Sequence, residues 1–481
     1  MATSFSETTA VRGAPAISAV ESSRLIMLLD RMVFCGLMAL IVLTAIPYGT
    51  VHPWSQAAFE CAVLGLTLLW IVHGCLSGSW RIGNVRLFLP FGALILFALV
   101  QSLVWSQVDG AGVKVGYSLS SDPFESWVFV LRTSTLVLAA LLLIRFTSSR
   151  KRLAILVHTI IGIAVISALY GVARQSIQHT TGFGLPLLKP TLGFGQFFNK
   201  NHFPYLMEMA MGLVVGVALM RGRRQERILL YLAALLAMWA ALVLSVSRGG
   251  LVAMSAQIVF AVLLFINSRK TRRTFEDETR TDRFAWTRSL AARLVMGVVL
   301  LGFIVAGIVW LAGDRLASGV ESAAAEMTSV DRTELHEGSR RRDIWRASWL
   351  MFKAHPFTGA GLGGFWTEVP YFHQASGVTT PQQAHNDYLE LLASAGLLGA
   401  GLFIWFAVVL IKQARLCLRV TEGFQRTACL GAMVGLAGVA VHSIVDFGLH
   451  IMANALVCVA LLAIISLRPV TRNSDFRPRR T

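Results

Sequence analysis

Residues 339–366 read SRRRDIWRASWLMFKAHPFTGAGLGGFW, and residues 382–399 read QQAHNDYLELLASAGLLG. They lie in and just after the longest polar break of a chain that is otherwise apolar almost throughout. Of 481 residues, 55% are apolar and only 14% charged, well outside the range of soluble domains. A bilayer core of ~30 Å takes about 20 apolar helical residues per crossing. Twelve runs meet that need, at 25–47, 54–76, 87–105, 126–146, 153–174, 202–220, 228–246, 250–267, 290–313, 387–411, 427–445 and 449–467. Each is continuous rather than alternating, which selects helices over a barrel. The expectation is an all-α integral membrane protein with about 12 transmembrane helices.

Lysine and arginine set the orientation. With the N-terminus inside, the inner loops hold Arg81 and Arg86, Arg145 with Arg150–Arg152, and Arg221 through Arg227. The 268–288 loop, Lys412 to Arg426 and the tail from Arg468 complete the basic inner set. The short outer loops carry few cations: Lys114, Arg174, Lys189, Lys200 and Arg248. This asymmetry obeys the positive-inside rule loop after loop. The net charge of +17 then reflects topology and attraction to anionic inner-leaflet lipid. Basic residues scattered over so many loops argue against a nucleic-acid partner.

The expected order is a cytoplasmic tail (1–23, with no signal-peptide core), helices one to nine (24–313), one large outer loop (314–385), helices ten to twelve (386–467) and a basic tail (468–481). Residues 314–338 are acidic. In 343–355, Ile344, Trp345, Trp349 and Phe352 fall at helical spacing, as in a helix lying along the interface. Gly359, Gly361, Gly363 and Gly364 follow as a turn. They do not follow a strand, so a dinucleotide-binding reading fails. The six cysteines lie in spans or toward the inner side, and the outer histidines lack metal-ligand spacing, so neither a disulfide framework nor a structural zinc is expected.

Three positions carry chemical potential. Arg248, in LSVSRGGL, sits in a tight outer turn. It either snorkels to headgroups or pairs bidentately with phosphate. Arg340, Arg341 and Arg342 are either a solvated run or cations held at headgroup depth by the helix that follows. His385 opens AHNDYLELL, where Asn386 or Asp387 caps a helix and Glu390 completes a box. It is either a bystander there or, because the positive helix end disfavours its cation, a proton acceptor. Glu208, inside a span, and Asp446 with His442 and His450 form a second tier. A carboxylate within a span is a functional hypothesis, although pairing with Arg132 or a neighbouring helix is the plainer one.

These residues fall in recurring motifs. SRG at 247–249, RxxxW at 341–345, HPxxGxGxxxF at 355–365 and HNxxLExxxxxGxxG at 385–399 together resemble the O-antigen ligase/polymerase family. GQFFNKNHFPYLMEM at 195–209, with Asn201 and His202, is similar to an element of that family's exopolysaccharide branch. The resemblance implies a metal-independent glycosyltransferase of the GT-C kind in the bacterial inner membrane, without a cofactor. It would move a glycan from undecaprenyl diphosphate to a sugar hydroxyl at the periplasmic face. Arg248, Arg341 and His385 would be catalytic, with Arg342 or Arg340 the alternatives to Arg341, since the chain has three arginines where the family pattern needs one. Arg342, Arg340, Asn201, His202, Asn386 and Glu208 would bind substrate. Its partners would be a lipid-linked oligosaccharide donor, a glycan or lipid-linked acceptor, membrane lipid and other polysaccharide-assembly proteins.

Two arginines suit a diphosphate leaving group without divalent metal. A neutral histidine suits deprotonation of the attacking hydroxyl. The NKNHF element favours a polymerase; a ligase acting on lipid A–core is the alternative. A flippase or exporter would instead spread charges through its spans and show pseudo-symmetric halves.

Overall fold

The computed structural model describes residues 16–46, 48–80, 82–108, 114–177, 193–218, 225–270, 337–373 and 381–469. The helices are α1 (Ala16–Ala45), α2 (Pro53–Ser77), α3 (Leu89–Ser102), α4 (Pro123–Phe146), α5 (Arg150–Ile177), α6 (Phe203–Ala218), α7 (Gln225–Leu244), α8 (Arg248–Lys270), α9 (Glu337–Ala354), α10 (Phe365–Glu368), α11 (Asp387–Val420), α12 (Gly423–His442) and α13 (Met452–Ser466). Among the described residues, six are long and apolar enough to cross a membrane, and five shorter apolar helices accompany them. They coincide with eleven of the twelve expected runs. The run at 290–313, most of the 268–288 loop, the acidic segment 314–336, most of the expected N-terminal tail and most of the C-terminal tail lie outside the described residues.

Two details depart from expectation. Residues between α3 and α4 pair as an antiparallel hairpin, β1 (Val104–Val108) with β2 (Lys114–Ser118), Trp105 opposite Tyr117. The β-branched and aromatic residues Val104, Trp105, Val108, Val115 and Tyr117 favour strands where the chain leaves the apolar layer. The second departure is in α11, which breaks at Gly396 (φ 59, ψ −155). The stretch read as one span is a short helix followed by the crossing.

Close packing of α6 on α12 organises the centre. Gly212 and Gly216 are four apart on α6, as Gly431 and Gly435 are on α12. A Cβ on Gly212 would stand 2.4 Å from the Gly435 nitrogen, and one on Gly216 would stand 2.3 Å from the Thr427 carbonyl oxygen. With lipid as apolar as leucine, such small-residue seams let backbones touch and drive helix association by packing. Tyr205, Leu213, Leu461 and Ile465 fill the surrounding core.

At the end expected to face inward, Arg152 pairs with Asp30 and donates to the Phe146 carbonyl at 2.9 Å. At the opposite end gather the starts of α6, α8 and α11, the close of α12 and the 443–451 turn.

Candidate active site

Four chain segments converge at that end, and hydrogen bonds fix each one. Ser247 caps α8, its Oγ accepting from Gly250 N at 3.3 Å. This leaves Arg248 as the first helical residue, exposed, directly after Val246 at φ 50. A β-branched residue in the left-handed region is a genuine outlier, of the kind that collects at functional sites. The turn is wedged: a Cβ on Gly249 would meet His442 Nε2 at 2.8 Å, and one on Gly250 would meet Pro204 at 2.6 Å.

His385, in the same cluster, is another non-glycine residue with positive φ, also at 50. Its neighbour Ala384 is gripped on both sides: Trp345 Nε1 donates to the Ala384 carbonyl at 3.0 Å, and Ala384 N donates to Glu390 Oε2 at 2.7 Å. Trp345 of RxxxW and Glu390 of HNxxLE therefore both hold the backbone just before His385. Asn386 alone caps α11, its Oδ1 accepting from Leu389 N at 3.0 Å. Asp387 does not cap, and Glu390 reaches past it to Ala384. Asp387 N donates to the Ser443 carbonyl at 2.9 Å, docking the helix start on the 443–451 turn.

Asp446 is the centre of the cluster. His385 Nδ1 lies 3.4 Å from its Oδ1, and the Arg341 guanidinium lies 4.0 Å from its Oδ2. Burial would push the carboxyl up, but contact with His385, attraction to His202, the Phe447 N–H and Arg341 outweigh it and bring Asp446 down to about 2. His202 is buried, and that burial holds it down at about 4 despite the neighbouring Asp446. It is thus uncharged near neutrality, leaving Arg341 as a standing cation beside Asp446. Phe447 stands edge-on to His202 at 4.8 Å, His385 at 4.7 Å and His450 at 5.9 Å between ring centres.

His450 lies 3.5 Å from Asp387 and 3.6 Å from Glu390. Crowding by protein opposes its charge, but the ring is 41% exposed and the two carboxylates win, pushing it up to about 9.

The helix α9 separates Arg341 from Arg342. Its inward face is Ile344, Ala347, Ser348 and Met351, one to three turns beyond Arg341. Arg342 is exposed, and nothing is described of the Arg340 side chain. Trp349 is 45% exposed on the outer side of the helix, while Ile344 is buried. Asn201 is half-buried and its N–H donates to Asn199 Oδ1. Glu208 does not pair with Arg132, which donates to Gln56 at 2.6 Å; it is fully buried against His442.

The glycine run after α9 is a docking strip rather than a free turn. Ala360 N and Gly361 N donate to the carbonyls of Ala393 and Ser394, both at 2.9 Å, while Leu397 N donates back to Pro356 at 2.8 Å. These bonds saturate the backbone groups freed where α11 breaks at Gly396. Gln101 locks the far side, donating to Thr358 at 2.7 Å and accepting from Leu362 N at 3.1 Å.

The fold is that of a multi-pass membrane protein, with a cluster of histidines, carboxylates and arginine at one end of its helices. Residues 233–404, less than half of the chain, match the family model described as O-Antigen ligase, which supports assignment to an O-antigen ligase-like family. The matched segment contains Arg248, Arg341 and His385, whereas His202, Glu208, His442 and Asp446 come from outside it. The match supports a membrane glycosyltransferase acting with a lipid-linked glycan donor and an acceptor. No curated protein matches the chain.

Proposed function

We propose that this protein is a metal-independent glycosyltransferase of the bacterial inner membrane, taking a glycan from undecaprenyl diphosphate at the periplasmic face. The observation that carries the reading is the convergence of Arg341 and His385 on one buried carboxylate, within 4.0 and 3.4 Å, beside the turn bearing Arg248. Asp446 faces His385 Nδ1, leaving Nε2 to take the proton of the attacking sugar hydroxyl. As the hydroxyl oxygen bonds to the anomeric carbon, the bond to the diphosphate oxygen breaks. The departing lipid diphosphate keeps the electron pair. Arg248 and Arg341 meet that charge with bidentate hydrogen bonds, a job suited to guanidinium forks. Asp446 stabilises the imidazolium that forms, and general-base catalysis of this kind contributes about 10²–10⁴-fold.

The NKNHF element favours a polymerase that extends another lipid-linked repeat. The family description at 233–404 favours the second reading, a ligase delivering to lipid A–core. Purified protein given a defined lipid-linked repeat, with and without lipid A–core, separates them. Polymer formed without lipid A–core identifies a polymerase, and product formed only with it identifies a ligase. Transfer is expected to survive EDTA. An activity lost to chelation and restored by magnesium would overturn the arginine-only account, and no transfer to any acceptor would return the flippase reading.

A further inference from the structure

Behind the site lies a pair that the proposed reaction does not use. Glu208 on α6 and His442 at the close of α12 are both completely buried, with His442 Nδ1 2.8 Å from Glu208 Oε1. The glycine seam brings them together. Gly438, one turn before His442, would place a Cβ 3.3 Å from the Glu208 Cβ. Tyr205 stacks on the imidazole, ring centres 4.1 Å apart and 19° between planes. Gln257 secures the backbone below, donating to the Glu208 carbonyl at 2.6 Å and to Val434 at 3.2 Å.

The ring is therefore fixed on one edge and one face, and its other edge points at the Ser-Arg-Gly turn. His442 Nε2 sits 2.8 Å from where a Gly249 Cβ would be and has no hydrogen-bond partner. Burying an ionisable pair between helices is costly unless it does something packing residues cannot. A leucine pair would fill the volume, but it would not set the ring edge in one orientation.

We propose that Glu208 and His442 are positioning residues that hold the 246–249 turn, and through it aim Arg248 at the phosphate of the lipid donor. The inference rests on the role given to Arg248 above. His442 lies sealed beneath the turn and acts through Arg248 without touching substrate. Glu208 keeps the ring from rotating away, whichever partner holds the proton.

The test is binding of undecaprenyl diphosphate to the full-length protein in nanodiscs, measured in the wild-type and Arg248→Ala backgrounds. Glu208→Leu removes the anchor, Glu208→Gln retains an acceptor oxygen for the ring, and Gly249→Ala pushes the His442 ring from the opposite side while leaving both residues of the pair unsubstituted. Small misplacements of a charged group cost up to ~10²-fold, so Glu208→Leu and Gly249→Ala are each expected to weaken binding on the order of tenfold. Glu208→Gln should stay near wild type. In the Arg248→Ala background neither Glu208→Leu nor Gly249→Ala should weaken binding further. Where Glu208→Leu does not insert stably, Gly249→Ala carries the comparison alone. Unchanged binding, or an equal loss in both backgrounds, overturns the positioning role. If Arg248→Ala itself binds normally, the reading of Arg248 falls, and the proposal with it.

Discussion

The Arg341 guanidinium stands 4.0 Å from the Asp446 carboxylate, joining two segments more than a hundred residues apart. It also separates Arg341 from Arg342, which points outward. Arg341→Ala is expected to lower single-turnover transfer by about 10²–10³-fold, the usual effect of deleting one donor to developing charge. Arg342→Ala should stay within about twofold, because exposed charges contribute little. Lysine at 341 should rescue poorly, since an ammonium lacks the planar fork. Equal losses at 341 and 342 would show that the run acts only as diffuse charge.

Gly359 and Gly396 interlock. Both have positive φ, at 69° and 59°. A Cβ on Gly359 would stand 2.2 Å from the Ser394 carbonyl carbon, and one on Gly396 would stand 2.5 Å from that of Phe357. Alanine at either site must fight both backbone conformation and backbone contact. Each should cost at least about 1–3 kcal/mol, read as a lower melting midpoint in detergent. Gly401 on the same helix has nothing within 4 Å. Gly401→Ala should be neutral or slightly stabilising there, since alanine is the better helix former by about 1 kcal/mol.

Acid should loosen the site in two stages. His202 is held down at about 4, against about 6.5 unfolded. Between these values the unfolded chain binds a proton that the folded chain refuses, so stability falls as pH drops through that window and levels off below it. Asp446 is held down at about 2, against about 3.9 unfolded. Its contribution is complete above about 4 and is lost as pH falls toward 2. Melting midpoints against pH should therefore lose the upper stage in His202→Gln and the lower stage in Asp446→Asn. A His202→Gln profile parallel to wild type from pH 6.5 to 4 would refute the assignment.

Much of this was legible in the sequence, and what was not has identifiable causes. Eleven described helices follow apolar runs because continuous hydrophobicity over a bilayer's width admits little else. Arg248 and His385 stood out because each is a polar residue at a span's edge. Asp446 and His442 stayed in the second tier because their importance comes from segments that only the fold brings near. Periodicity alone did not choose among the three arginines; the buried face of Ile344, Ser348 and Met351 became readable only in the folded helix. The tryptophans obscured it, since Trp349 turns outward. The paired glycines 212/216 and 431/435 were visible, yet a small-residue stripe does not name its partner. The break at Gly396 was hidden because a helix spanning 387–411 satisfies hydropathy equally well.

The grip on Ala384 yields the sharpest remaining expectation. His385 holds a backbone conformation (φ 50) that costs a non-glycine residue about 1–3 kcal/mol. The bonds from Trp345 and to Glu390 hold its neighbour in place. Trp345→Phe keeps a ring against the loop but deletes the N–H, a hydrogen bond worth about 0.5–1.5 kcal/mol net. With part of the restraint gone, His385 should spend less time facing the acceptor hydroxyl. The expected result is a several-fold lower kcat, since ~1 kcal/mol corresponds to about fivefold, with the donor KM unchanged because Arg248 and Arg341 are untouched. A purely structural role for Trp345 would lower the amount of folded protein and leave kcat per folded molecule intact. The decisive measurement is kcat normalised to folded protein, alongside donor KM. A rise in donor KM with unchanged kcat would mean that Trp345 serves the phosphate site through Arg341, one turn away, and not the histidine.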